Sequence, residues 1–217
     1  MQVVDLSHSL KEGMQIYPGD PIFSSSCALT IEKDGWAVLS LSMGSHTGTH
    51  VDAPSHYIAD GKTIEQIPLS TFIGRALVIP LTHKSAREVI TWADVAPYAS
   101  QMAEGVIVLL HTGWSQYWGT EKSIEHPFLD RTAAEQIIAT GVQVVGIDAL
   151  SPDATLLEGT GSFGAHEVIL GAGCVIAENL TNLHALEGSN YTVHLMPLKI
   201  DGSDGSPVRA FALETPT

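Results

Sequence analysis

Two short runs of aliphatic, largely β-branched residues constrain this chain most: 106–110 (VIVLL) and 142–147 (VQVVGI). A strand with one wet face alternates apolar and polar residues. These runs do not, so they read as strands covered on both sides. Between them, 131–140 (RTAAEQIIAT) is built of good helix formers, with Asp130 placed to cap its start and Gly141 just beyond its end. Strand, helix and strand in that order predict a right-handed βαβ unit and a parallel strand pair. The fold class expected is therefore α/β with a mixed sheet.

The remaining elements are shorter. Residues 37–43 (AVLSLSM) alternate and predict a strand with one buried face. Residues 75–81, 174–177 and 191–200 read as further strands. Thr91-Trp-Ala-Asp94 reads as a capping box opening a helix that Pro97 must shorten. In 15–21 (QIYPGDP), Pro-Gly-Asp supplies a turn. No repeat, linker or low-complexity tract breaks the chain, so residues 1–217 are read as a single domain.

Charge removes several functions. Ten Lys and Arg against 24 Asp and Glu give a net charge of −14. No basic cluster exists to hold nucleic acid or an anionic membrane surface. No apolar run approaches the ~20 residues of a membrane helix, and the start, MQVVDLSHSLKEG, lacks the basic and apolar regions of a secretory signal. Two cysteines, Cys27 and Cys174, make no disulfide framework and fit a reduced, cytoplasmic protein. What the acidic chain does carry is ten histidines, and imidazole with carboxylate is a cation-binding chemistry.

Four ligand-type residues fall within eleven positions of 44–56 (GSHTGTHVDAPSH): His46, His50, Asp52 and His56. Gly44, Gly48 and Pro54 disfavour a helix, so the segment reads as a strand running into a loop, with the four side chains on one face. Four extended residues span ~13 Å, too far for two imidazoles to share one ion. Gly48, midway between His46 and His50, is where the chain must bulge or kink. The result is a two-histidine, one-carboxylate set with open positions for chemistry. Isolated histidines are more often surface or hydrogen-bonded core residues, which is the reading given to the six outside this segment other than His166. Downstream, His166 opens a short helical stretch and Glu178 ends an apolar strand; spacing alone leaves each as either packing or site material. No serine sits in a G-x-S-x-G turn; Gly161-Ser162-Phe163-Gly164 does not match it.

The segment 45–56 closely resembles the HxGTHxDxPxH signature of the cyclase family of metal-dependent hydrolases, which includes bacterial kynurenine formamidases and isatin hydrolases. Asp5-Leu-Ser, Tyr17-Pro-Gly-Asp, Thr112-Gly-Trp, Gly146-Ile-Asp, Ser151-Pro-Asp153, His166, Glu178-Asn-Leu and Gly205-Ser-Pro-Val-Arg209 extend the likeness along the chain. The resemblance implies a swivelling β/β/α-type domain around a mixed sheet, assembled as a homodimer or homotetramer. It implies that His46, His50 and Asp52 bind one metal ion, and that Asp52, His166 and Glu178 bind or approach a second. It makes His56 the acid–base histidine. Asp52 and Glu178 supply two negative charges against two divalent cations, leaving the positive balance that a hydroxide and an anionic intermediate need. Zn²⁺ and Mn²⁺ both suit such ligands. The activity implied is hydrolysis of a small amide, formamide or lactam by metal-activated water, with N-formylkynurenine the best named substrate. An isatin-type cyclic amide is the alternative, and a metal-binding module without turnover is the reading from another class. In kynurenine formamidases of the family an aromatic residue before the Pro-Gly-Asp turn, typically tryptophan, contacts the substrate; here it is Tyr17. Arg209 reads either as a partner for a substrate carboxylate or as half of an ion pair.

Overall fold

The computed structural model describes residues 2–156, 163–188 and 190–215; Gly161 and Ser162 lie outside them. Twelve strands follow in chain order: β1 (Val3–Asp5), β2 (Ser24–Leu29), β3 (Val38–Ser42), β4 (His50–Asp52), β5 (Ile73–Pro80), β6 (Val89–Ile90), β7 (Val106–His111), β8 (Phe128–Leu129), β9 (Val144–Ile147), β10 (Val175–Glu178), β11 (Tyr191–Pro197) and β12 (Gly205–Glu214). The helices are α1 (Ile31–Asp34), α2 (Trp92–Val95), α3 (Arg131–Ala139) and α4 (Gly164–Gly171).

Eight strands form one mixed sheet in the order β1-β12-β11-β5-β7-β9-β10-β4. β4 also pairs with the start of β12, so seven of the eight close into a barrel with β1 outside. β5, β7, β9 and β10 run parallel; the other pairs are antiparallel. β7 and β9 are buried at every position, as their composition requires. Val106, Val108 and Leu110 pack with Ala133, Ala134 and Ile137 of α3, while Ile107 and Leu109 join Val51, Val193 and Ala210 in a second apolar cluster. The two faces of one strand thus serve the helical layer and the barrel interior.

The capping residues behave as their chemistry predicts. Asp130 accepts the N–H of Thr132 at the start of α3, and Asp94 accepts the N–H of Thr91 to close the box around α2. α2 is only one turn long, continuing as a 3₁₀ segment through Pro97.

One expectation is corrected. β3 has no buried face: all five residues are exposed, and among the described residues it pairs only with β2, in a separate two-stranded ribbon. Alternation identified a strand but not what covers it; Leu39 and Leu41 remain 64% and 54% exposed. No helix among the described residues is long and apolar enough to cross a membrane.

Candidate metal centre

The site forms where β4 is held between β10 and β12. Asp52 lies opposite Ile176 on one side and Gly205 on the other, and His50 lies opposite Glu178. Two residues apart on a strand, His50 and Asp52 share a face, and the cross-strand register adds Glu178 to it. The single-face strand expected over 46–56 holds only for this pair. Strand structure begins at His50, and Pro54–His56 is a 3₁₀ turn. His46 reaches the group because the chain turns at Gly48, whose φ is +69°; a Cβ there would also meet Leu10 at 2.5 Å. His166 arrives from the first turn of α4.

Each of three histidines has one ring nitrogen committed away from the centre. His50 Nδ1–H donates to the carbonyl of Gly48 at 2.8 Å, an oxygen that also receives the Asn179 side-chain N–H at 3.1 Å. His166 Nδ1–H donates to Asp153 at 2.6 Å; Asp153 also accepts the backbone N–H groups of Ala165 and His166, so it fixes the helix start and the ring together. His46 Nε2–H donates to Asp204 at 3.1 Å. The opposite nitrogens then present lone pairs inward. His46 Nδ1 is 2.7 Å and His50 Nε2 3.2 Å from Asp52 Oδ1. His50 Nε2 is 3.3 Å from Glu178 Oε2, and His166 Nε2 is 3.5 Å from Glu178 Oε1 and 3.8 Å from Asp52 Oδ2.

Lone pairs facing lone pairs at these distances need a positive charge between them. Asp52 Oδ2 and Glu178 Oε1 are buried and have no hydrogen-bond partner among the described residues, a costly state for a carboxylate oxygen. The residues present therefore fit a divalent cation. Two overlapping groups, His46-His50-Asp52 and Asp52-His166-Glu178, each bring three ligand atoms within 4.8 Å of one another and share Asp52; His46, His56 and Asp204 make a third, less buried set at the same spacing. Without a cation, protons take its place. Burial opposes charging His46, yet hydrogen bonds to Asp204 and Asp52 raise it to about 9. His50 and His166 also rise against burial, through Asp52 and Glu178 for the first and Asp153 and Glu178 for the second. Burial pushes the Asp52 carboxyl up, but His50 and His46 hold it well below the usual range.

The centre opens into a cavity of about 460 Å³, a usual size for a small-ligand site. Its walls include Tyr17, Tyr57, Phe163 and Leu150, with Asp20 also among the lining residues. His56 lines it too, its ring 4.0 Å from that of His46 and its Nδ1–H donating to Asp204 at 3.3 Å. Tyr17 thus shares a cavity with residues up to 162 positions away. Arg209 is not among the residues lining it; its Nε and Nη2 hold Asp5, at 2.9 and 2.7 Å.

The Cyclase family model matches residues 4–154. The chain belongs to the cyclase family. Among its relatives in that family, the kynurenine formamidase of Delftia acidovorans is 30% identical over 207 residues, covering 95% of this chain and 94% of the relative. The kynurenine formamidase of Paracidovorax citrulli is 34% identical over 226 residues, covering 98% and 96%. Isatin hydrolase A from Labrenzia aggregata, solved with benzyl benzoate bound, superposes with a TM-score of 0.88 at 27% identity, covering 97% of this chain and 93% of that one.

Two residues escaped the sequence reading. Asp153 stood in a quoted motif without a role, and Asp204 was not singled out. Both belong to turns, where aspartate is common for backbone reasons alone, so neither carried a signal of its own.

Proposed function

We propose that this cyclase-family chain, acting as one domain over residues 1–217, hydrolyses the C–N bond of a small aryl amide with two divalent cations bound. The observation that carries the reading is the pair of buried, unpartnered carboxylate oxygens, Asp52 Oδ2 and Glu178 Oε1, faced by the lone pairs of oriented histidines. His46, His50 and Asp52 hold one ion; Asp52, His166 and Glu178 hold the other. Zn²⁺ and Mn²⁺ both match imidazole and carboxylate ligands.

A bound divalent cation supplies Lewis-acid polarisation and lowers the pKa of water. The chain's own residues do the rest. Tyr17, Tyr57 and Phe163 bracket a flat ring and direct its carbonyl toward Asp52 and Glu178. His56, the titratable cavity residue outside the two ligand groups and nearest them, takes a proton from water and returns it to the leaving nitrogen. One water is consumed: oxygen joins the carbonyl carbon, the C–N bond breaks, and nitrogen leaves protonated.

N-formylkynurenine is the best single substrate. It joins an aryl formamide to an ammonium group that Asp20 can receive, and curated relatives carry that activity in their names. A flat cyclic amide of the isatin kind is the second reading, favoured by the aromatic walls and the isatin hydrolase likeness. Val38, Leu39 and Leu41, exposed on β3, support assembly as a homodimer or homotetramer, and free cysteines support a cytoplasmic setting. The test is a turnover screen of N-formylkynurenine, a simple alkyl formamide and isatin with metal-loaded protein. Turnover of the aryl formamide above the alkyl one is expected. No turnover of any of the three would leave a metal-binding module instead.

A further inference from the structure

Asp204 belongs to neither of the groups that share Asp52, yet one of its oxygens joins both halves of the machinery. Oδ2 lies 3.1 Å from His46 Nε2 and 3.3 Å from His56 Nδ1. A carboxylate only accepts, so both nitrogens must carry hydrogen. Nδ1 of His46, 2.7 Å from Asp52 Oδ1, carries a proton in the metal-free chain and would give a lone pair to a cation bound there, while the other nitrogen of His56 is the one free to exchange a proton in the cavity.

The placement is built rather than accidental. The carbonyl of Asp204 accepts the N–H of Ala53, and that of Ser203 accepts the N–H of Ile64. The loop is thus tied to the chain on either side of His56. Gly205 presses directly on the centre: a Cβ there would stand 2.8 Å from His46 Cε1 and 2.8 Å from the carbonyl of Val51. The His56 side chain is about one-third exposed. Among the described residues its ring hydrogen-bonds to Asp204. Without it, nothing would choose which nitrogen faces the substrate.

We infer that Asp204 is the positioning residue of this site, setting with one oxygen the tautomer of the metal-facing His46 and of the proton-carrying His56. The inference rests on the roles proposed for those two histidines. Outer partners of this kind change metal affinity or activity by about 10–100-fold when removed. Here the loss should fall on kcat, because Asp204 acts on the proton carrier and not on the aromatic walls.

The test uses full-length protein labelled with ¹⁵N-histidine, both metal-free and loaded with Zn²⁺, as wild type, Asp204→Ala and Asp204→Asn. In the wild type, ring ¹⁵N shifts should show neutral His56 protonated on Nδ1. In Asp204→Ala that population should move toward the Nε2–H form, and kcat should fall by about 10–100-fold with KM nearly unchanged. Asp204→Asn, which keeps an accepting oxygen in the same place, should restore part of both. Unaltered His56 tautomers in a folded Asp204→Ala protein would overturn the inference. So would loss of a bound Zn²⁺ equivalent at saturating metal, which would make Asp204 a ligand. If the wild type hydrolyses nothing, the proposed function fails while the tautomer measurement still decides the role of Asp204.

Discussion

His50 and His126 are equally hidden, at 2% and 1% exposure, and their surroundings do opposite things to them. His126 donates from Nδ1 to the carbonyl of Pro127 at 2.9 Å and accepts at Nε2 from the Thr155 hydroxyl at 2.8 Å. Both nitrogens are satisfied, no carboxylate among the described residues hydrogen-bonds the ring, and burial drives it down to about 4. His50 has one nitrogen satisfied and the other aimed at two carboxylates, which overcome a comparable burial and drive it up. Burial alone makes a neutral core histidine. Burial beside carboxylates with unpartnered oxygens makes a place for a cation.

The hardest way to break this contrast is to neutralise the shared carboxylate. Asp52→Asn should lose both ions, with kcat/KM falling by at least about 10³-fold, the scale of several kcal/mol of Lewis-acid stabilisation. His126→Gln should keep full metal content. Elemental analysis beside initial rates checks both; metal loss in the His126 variant would erase the distinction.

Stability against pH separates the two regions by sign. For His126 the folded pKa lies below the unfolded value of about 6.5, so the unfolded chain binds the proton more readily. Its contribution is complete above about pH 6.5 and is lost as pH falls toward 4, on the order of 3 kcal/mol. His46 is raised to about 9 in the metal-free chain. Its contribution is present below about pH 6.5 and is lost as pH rises toward 9. Metal-free protein should therefore weaken at both ends, and Zn²⁺ should remove the alkaline loss only. Denaturant midpoints from pH 4 to 9, with and without Zn²⁺, give the comparison. An alkaline limb that Zn²⁺ leaves untouched would count against a shared proton and cation site.

Smaller effects sharpen the picture. Asp153→Asn should weaken metal binding by about 10–100-fold through a mis-set His166 ring, with much of kcat recovered at saturating metal. Tyr17→Ala should raise KM for an aryl formamide by about fivefold, the equivalent of ~1 kcal/mol of aromatic contact, and leave metal content alone. An unchanged ratio of aryl to alkyl turnover would make Tyr17 a packing residue.

Much of this was legible from local chemistry. β7, α3 and β9 follow from composition and caps, because fully buried strands and capped helices leave local marks. Gly48 was legible as the kink because reach alone demanded one. The closure of the barrel was not, since β4 pairing with both β10 and β12 is a long-range event with no pattern in a three-residue strand. The exposure of β3 was not, because alternation records which faces differ and not what lies against them. His166 and Glu178 entered by family likeness, and only the register of β10 on β4 puts Glu178 opposite His50. Asp153 acts through both its oxygens and Asp204 through one, from loop positions, a role that no spacing announces.

The central claim is that the two groups sharing Asp52 hold cations on which hydrolysis depends. Its most direct test is a stoichiometric titration of chelator-stripped protein with Zn²⁺ or Mn²⁺, following bound metal and N-formylkynurenine hydrolysis in the same samples, with isatin as the parallel substrate. Hydrolysis should be absent at the start, rise with bound metal and level off at two ions per chain, one for each group. Full turnover in protein that elemental analysis shows to be free of metal would contradict the account.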